Sequence, residues 1–312
     1  MESDKFIAVC ESATGQIAII DMSAGNTINR QKISAEAAIM NPLSKVIALK
    51  GNVLMMRRYR AVQSFVYCAP HSYATIHCIP PHTSHTPLSL SPNLTAGQVL
   101  QIFNLELRAK MKSYNMPAAV IYWRWISPNM IALVTAAAVF HWSVGGEDAP
   151  VKMFDRNPGI TDGTQIINYQ VSDDMKWSLL CGISQGSAPG VINGTMQLYS
   201  VEKAVSQMLQ GHSGVFSVIP VAGRDDAQIL CFEDKKPDQP AKLFIMEVGR
   251  EKTAPGGVFR VSPQPIPVAP DAANDFPVTM NASKKHGMIY MISKMGYLYL
   301  FDIFTGKHIY RP

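Results

Sequence analysis

One short pattern recurs through this chain and narrows what it can fold into. Two or three apolar or aromatic residues are followed by a small polar or acidic one and then another apolar one. The pattern stands at AIIDM (18–22), QIFNL (101–105), FHWSV (140–144), QLYSV (197–201), FIMEV (244–248) and YLFDI (299–303). Further apolar runs precede these copies, among them VIALK (46–50), MIALVT (130–135), WSLLCGI (177–183), AQILCF (227–232) and GMIYMIS (287–293), and turn residues fall between. Short runs rich in Val, Ile, Phe and Tyr and bounded by turn residues read as β-strands. With Asp21, Asn104, Ser143, Ser200, Glu247 and Asp302 as markers, the spacings are 83, 39, 57, 47 and 55. Repeats of about 40–50 residues with several strands each are the signature of propeller blades. The expected fold is therefore an all-β propeller.

The spacing of 83 exceeds the others by about one repeat, and residues 51–95 account for the excess. This segment has no Asp or Glu, five prolines, four of the eight histidines and no alternation. It separates VIALK from VLQIFNL, two strands that a tight turn would otherwise join as a hairpin. A structureless loop of this length inside a compact repeat marks an irregularity. We read it as translated intron or as a lineage-specific insertion that contributes nothing to the fold. Loop closure does not forbid it, because the entropic cost rises only logarithmically with length.

Composition excludes several classes. Charged residues are 16% of the chain and hydrophobic ones 47%, a balance that suits many buried strands better than a solvated helical surface. The net charge of +5 is scattered and forms no basic stripe for nucleic acid. Five cysteines, at 10, 68, 78, 181 and 231, show no disulfide-like spacing and point to a reducing compartment. The start MESDK carries no secretory signal. Residues 125–144 contain no Asp, Glu, Lys or Arg and are long enough for a membrane span. Pro128 and Asn129 interrupt them, however, and they read as two strands around Ala136 and Ala137.

The stretch Ala96 to Lys112, AGQVLQIFNLELRAKMK, carries the sharpest functional signal. Val99, Gln101, Phe103 and Leu105 alternate with Leu100, Ile102 and Asn104, and Arg108, Lys110 and Lys112 follow. A strand bearing an amide and an aromatic, with cations beyond its end, suits an extended peptide that is apolar first and acidic last. On the residues alone Phe103 reads as a core side chain rather than a groove residue.

With 51–95 set aside, the chain resembles the N-terminal domain of clathrin heavy chains. The resemblance rests on MESDKFI (1–7), ISAEAAIMNPLSKVIALK (33–50), AGQVLQIFNLELRAKMK (96–112), ALVTAAAVFHWS (132–143), PVKMFDR (150–156), QIINY (165–169), MQLYSVEKAVSQ (196–207) and NDFPVTM (274–280). It implies a seven-bladed propeller whose grooves take short linear motifs from adaptor proteins. It further implies a non-enzymatic coat scaffold at the cytosolic face of coated pits and vesicles, without cofactor or metal, and touching membrane only through adaptors. Light-chain binding and trimerisation belong to the family's helical leg, which this sequence does not include. The family's domain begins before the position of Met1, so an opening strand segment is expected to be missing.

The resemblance also implies sites. The groove between the first two blades, which takes the clathrin-box motif (leucine-hydrophobic-any-hydrophobic-acidic), matches Ile47, Gln101, Phe103, Arg108 and Lys110. Val99 stands where the family has Thr, and Arg108 where it has Lys. A second groove, between the fourth and fifth blades, matches Trp177, Leu198, Lys203, Val205, Gln207 and Leu209, with Lys203 replacing the family's Arg. A third site at the centre matches Gln165, Ile167 and Ile183, although the family's aromatic partner falls in the missing opening segment.

No other chemistry is legible. Cys68, His71, His77 and Cys78 fit no zinc spacing, because adjacent His77 and Cys78 are awkward around a tetrahedral ion. Asp162, Asp173, Asp174, Asp225 and Asp226 sit in turn-like stretches and read as solvated loop acids. No nucleophile–histidine–carboxylate set and no phosphate-cradling glycine loop is present. Two other readings remain at this point: a generic WD-repeat-like interaction scaffold and a propeller hydrolase.

Overall fold

A computed structural model describes residues 5–310 except 12–13, 33–34, 53–97, 108, 147–148, 161–162, 237–238, 252, 268–271 and 273. Its described residues form six consecutive antiparallel sheets. The first holds β1 (Phe6–Glu11), β2 (Gln16–Asp21) and β3 (Thr27–Gln31). The second holds β4 (Ala37–Met40), β5 (Val46–Asn52), β6 (Gln98–Asn104) and β7 (Ala109–Met116). The third is β8 (Val120–Ser127), β9 (Met130–Thr135), β10 (Ala138–Ser143) and β11 (Val151–Asp155). The fourth is β12 (Gln165–Val171), β13 (Trp177–Gln185), β14 (Ile192–Ser200) and β15 (Val205–Gln210). The fifth is β16 (Gly214–Ile219), β17 (Ala227–Asp234), β18 (Lys242–Glu247) and β19 (Gln264–Pro265). The sixth is β20 (Pro277–Ser283), β21 (Met288–Ser293), β22 (Leu298–Asp302) and β23 (His308–Tyr310). Every sheet pairs its strands in chain order. This serial arrangement is consistent with a propeller.

Each sequence marker is the last residue of a strand: Asp21 of β2, Asn104 of β6, Ser143 of β10, Ser200 of β14, Glu247 of β18 and Asp302 of β22. In the four-stranded sheets that strand is the third. Five of the six markers then build the turn into the next strand. Asp21 Oδ1 accepts from Ser23 N and Ala24 N, and Asn104 Oδ1 from Glu106 N and Leu107 N. Ser143 Oγ accepts from Gly146 N, Ser200 Oγ from Lys203 N, and Asp302 Oδ1 from Phe304 N and Thr305 N. Short oxygen-bearing side chains close turns in this way because they reach backbone donors two and three residues on.

The strand before each marker, from the second sheet to the fifth, is a largely apolar run because both of its faces are covered. In β17, Leu230 and Phe232 pack towards the fourth sheet, while Ile229 and Cys231 pack towards the sixth. β5 and β6 pair from Val46↔Asn104 to Asn52↔Gln98, the hairpin expected from the sequence. Gly51 pairs with Val99 and Asn52 with Gln98, so the first two residues of the expected insertion belong to β5. The rest of that segment, from residue 53 on, lies outside the described residues, as do Cys68, His71, His77 and Cys78. Residues 125–144 contain the end of β8 and the two strands β9 and β10. Among the described residues no helix is long and apolar enough to cross a membrane.

The chain divides into two compact units. One comprises Met1–Val120, Ser127–Met130 and Ser143–Pro150. Its core joins the first two sheets through Phe6, Ile17, Ile19, Ile47, Leu49 and Phe103. The other comprises Ile121–Ile126, Ile131–Trp142 and Val151–Pro312. Two cores serve it, one between the fourth and fifth sheets and one between the fifth and sixth.

Candidate functional site

In the first unit, Ile47, Phe103 and Lys110 lie side by side on β5, β6 and β7, through the pairs Ile47↔Phe103 and Phe103↔Lys110. Gln101 lies two residues from Phe103, opposite Leu49. Alternation places Val99, Gln101, Phe103 and Leu105 on one face of β6, and Val99, Phe103 and Leu105 all pack towards the first sheet. Phe103 is 5% exposed and Gln101 8%, so the apolar floor of this face is closed down between two sheets. Lys110 is exposed at its end. Arg108 lies outside the described residues.

The third cation of the stretch has a structural role. Lys112 Nζ donates to Ser143 O at 3.0 Å and to Gly146 O at 2.6 Å, bracing the turn after β10. Lys50 is engaged likewise, donating to Val120 O at 2.9 Å. Burial lowers the Lys50 ammonium below its ordinary range, against the pull of Glu36. Sequence reasoning could not separate these braced lysines from free ones, since their acceptors are carbonyls 70 and 31 residues away.

In the second unit, the positions of the second groove share one face of the fourth sheet. Leu198 on β14 is paired with Leu179 on one side and Gln207 on the other, Met196 with Leu209, and Ser200 with Trp177 and Val205. Directly opposed residues of an antiparallel pair point the same way, and Trp177, Leu198 and Leu209 meet Phe216, Leu230 and Phe232 of the fifth sheet. The Trp177 indole lies against Gly249, where an added Cβ would fall 3.4 Å from Nε1. Val205 is exposed on the edge strand. Lys203 is exposed in the turn that Ser200 closes.

Of the third set, Gln165 and Ile183 are direct partners across β12 and β13. Ile167 falls where the register shifts between Ile166 and Asn168 and packs into the core between the fourth and fifth sheets.

The remaining acids are dispersed. Asp173 pairs with Lys284, and Asp174 accepts from Ser172 Oγ and Lys176 N. Asp225 and Asp226 stand in the turn before β17, and Asp162 lies outside the described residues. Among the described residues no group of three or more His, Cys, Asp or Glu is placed to hold a metal ion. Buried titratable groups occur instead in the core of the second unit. His141 Nε2 lies 2.9 Å from the Tyr169 hydroxyl. Burial pushes this imidazole down to about 4 and the Tyr169 phenol up.

Serial antiparallel sheets of three or four strands, packed face to face within each unit, make this an all-β protein whose architecture is consistent with a propeller. No protein-family model matches the chain. It is, however, 40% identical over 309 residues to human clathrin heavy chain 2, 39% over 315 residues to the clathrin heavy chain of Drosophila melanogaster, and 37% over 318 residues to clathrin heavy chain 1 of Arabidopsis thaliana. These matches cover 98%, 99% and 100% of the chain. The chain belongs to the clathrin heavy chain family, and corresponds to the N-terminal part of its members. It spans about 16% of the length of these relatives.

Proposed function

We propose that this chain is a non-enzymatic coat scaffold whose inter-sheet faces capture short linear motifs of adaptor proteins. The identity to clathrin heavy chains along nearly the whole sequence carries this reading. The placement of Ile47, Gln101, Phe103 and Lys110 supports it. Apolar side chains of an extended peptide would enter between the first two sheets, Gln101 would bond its backbone, and Lys110 with Arg108 would meet its acidic end. The second groove works in the same way, with Trp177 and Leu198 as the apolar floor and Lys203 as the cation, and Gln165, Ile167 and Ile183 form a lesser third site. The setting is the cytosolic face of coated pits and vesicles, with membrane contact through adaptors alone. Light-chain binding and trimerisation belong to the leg of longer family members.

Each contact is weak, because a five-residue motif buries little area and loses conformational entropy on binding. Many copies in a coat multiply weak contacts through effective concentration.

The full propeller has seven blades in this reading. The sixth sheet supports a further one: Met291, Tyr299 and Phe301 on one face enter the core, while Ile292, Leu298 and Tyr310 on the other are exposed. An apolar face of that kind suits one more sheet.

Calorimetric titration with a clathrin-box peptide tests the proposal. Saturable micromolar-to-millimolar binding is expected, lost with Phe103→Ala and weakened by Lys110→Glu, whose exposed position leaves the fold intact. Equal binding of a scrambled peptide, or full binding by both variants, would overturn it.

A further inference from the structure

The first sheet is one strand short of the other five, and its marker tells which strand that is. In the four-stranded sheets the marker ends the third strand, but Asp21 ends β2, the second of three. β1 therefore holds the second position. The edge that a first strand covers in the other sheets is open on β1 among the described residues.

The ladder shows which groups line that edge. Lys5 O accepts the Met22 N–H at 2.8 Å, in step with the register from Phe6↔Asp21 to Glu11↔Gln16. Hydrogen-bonded pairs alternate along an antiparallel ladder. Ile7, Val9 and Glu11 thus turn their backbone groups to β2, while Ala8 and Cys10 turn theirs to the open edge. Among the described residues neither Ala8 nor Cys10 has a backbone partner there. The side chains divide the same way. Ala8 and Cys10 pack into the core shared with the second sheet, whereas Ile7 and Val9 are 45% and 44% exposed on the opposite face. Lys5 and Glu11 flank them on that face.

The stretch from Lys5 to Glu11, KFIAVCE, is complementary to itself when reversed. With a second copy laid antiparallel and Ala8 on the two-fold axis, Lys5 faces Glu11, Phe6 faces Cys10 and Ile7 faces Val9. This register sets the edge-facing backbone groups of one copy against those of the other, as a ladder requires; a shift of one residue would not. It also sets the exposed row of Lys5, Ile7, Val9 and Glu11 against the same row reversed, at the non-hydrogen-bonded positions where side chains come closest. Glu11 already meets Arg30 Nε at 3.3 Å, and the facing Lys5 would bring a second cation to that carboxylate. An open strand edge is a template for another chain, and a two-fold contact must be self-complementary. We propose that β1 pairs with β1 of a second copy of this chain. The two three-stranded first sheets then form one continuous sheet, closed at each end of the junction by a Lys5–Glu11 ion pair.

Sedimentation velocity on the full 312-residue chain, over a range of concentrations, tests the pairing. A reversible monomer–dimer equilibrium is expected, and a monomer at every concentration would overturn the proposal. Lys5→Glu and Glu11→Lys should each weaken dimerisation by about tenfold or more, because like charges then face each other at both ends. Mixed in equal amounts, the two variants should recover dimers, since every end then sets an acid against a base. That recovery also shows that neither variant failed by misfolding. Dimers that persist undiminished in both single variants, or a mixture that stays monomeric, would overturn the pairing.

Discussion

Arg224 grips Glu247 with both terminal nitrogens, Nη1 to Oε1 at 2.8 Å and Nη2 to Oε2 at 2.6 Å. Glu247 is the one marker that does not close a tight turn, because sixteen residues, 248–263, separate β18 from β19. Its carboxylate instead holds that excursion down by accepting the Phe259 N–H at 2.7 Å. Burial works to raise the Glu247 carboxyl. The bonds from Arg224 and Phe259 and the charges of Arg224 and Arg250 outweigh it and keep the group below the usual carboxylate range.

A carboxyl held low contributes stability above its unfolded-state pKa and loses it as pH falls through the folded one. Glu247→Gln should therefore lower the melting temperature at pH 7 and narrow the gap from wild type towards pH 3. Arg224→Ala should likewise lower the melting temperature at pH 7, since it leaves the Glu247 carboxylate without its charged partner. Thermal melts across that range check both.

The turn markers predict a graded series. Asp302 accepts Phe304 N, Thr305 N and Thr305 Oγ1, so Asp302→Ala should destabilise by about 1–2 kcal/mol at roughly 1 kcal/mol per net hydrogen bond. Asp302→Asn, which keeps the accepting oxygen, should lose about half as much or less. Urea unfolding followed by tryptophan fluorescence measures the series.

His141 gives a pH dependence of definite sign. Its folded-state value is about 4 against an ordinary 6.5. The unfolded chain therefore takes up a proton, as pH falls through that interval, that the folded chain refuses. Stability is full above about 6.5 and falls between there and 4 by about 3 kcal/mol, since each pH unit separating the folded and unfolded values is worth about 1.36 kcal/mol. His141→Gln should remove that component of the slope, read by urea midpoints at pH 7, 5.5 and 4.

Thiol reactivity should separate the cysteines. Cys181 and Cys231 are fully enclosed, and burial pushes the Cys181 thiol up to about 12 and that of Cys231 higher. Cys10 is half-buried, and burial raises it less. Among the three described cysteines, iodoacetamide labelling of native protein followed by peptide mass spectrometry should modify Cys10 and leave Cys181 and Cys231 untouched until the protein unfolds.

The sequence made the inner part of each sheet legible and left the rest obscure. Runs such as VIALK and AQILCF announce themselves because both faces are covered, and the markers do so because a strand-ending oxygen closes the following turn. The outer strands give no such signal. β3 (TINRQ) is exposed almost throughout, and β7 and β15 mix charged, amide and apolar residues, since an edge strand with one wet face is held by its ladder rather than by its side chains. At the first groove, alternation showed that Gln101 and Phe103 share a face. The depth of Phe103 depends on Phe6, Ile17 and Ile19 of another sheet, a long-range fact that no local pattern carries.

The central claim is that a peptide lies along the face carrying Ile47, Gln101, Phe103 and Lys110. Hydrogen–deuterium exchange with and without a saturating clathrin-box peptide addresses it most directly. The account predicts slower exchange in peptides covering β1–β2 and β5–β7, reversed by Lys110→Glu. Protection absent from those strands, with the peptide demonstrably bound, would contradict it.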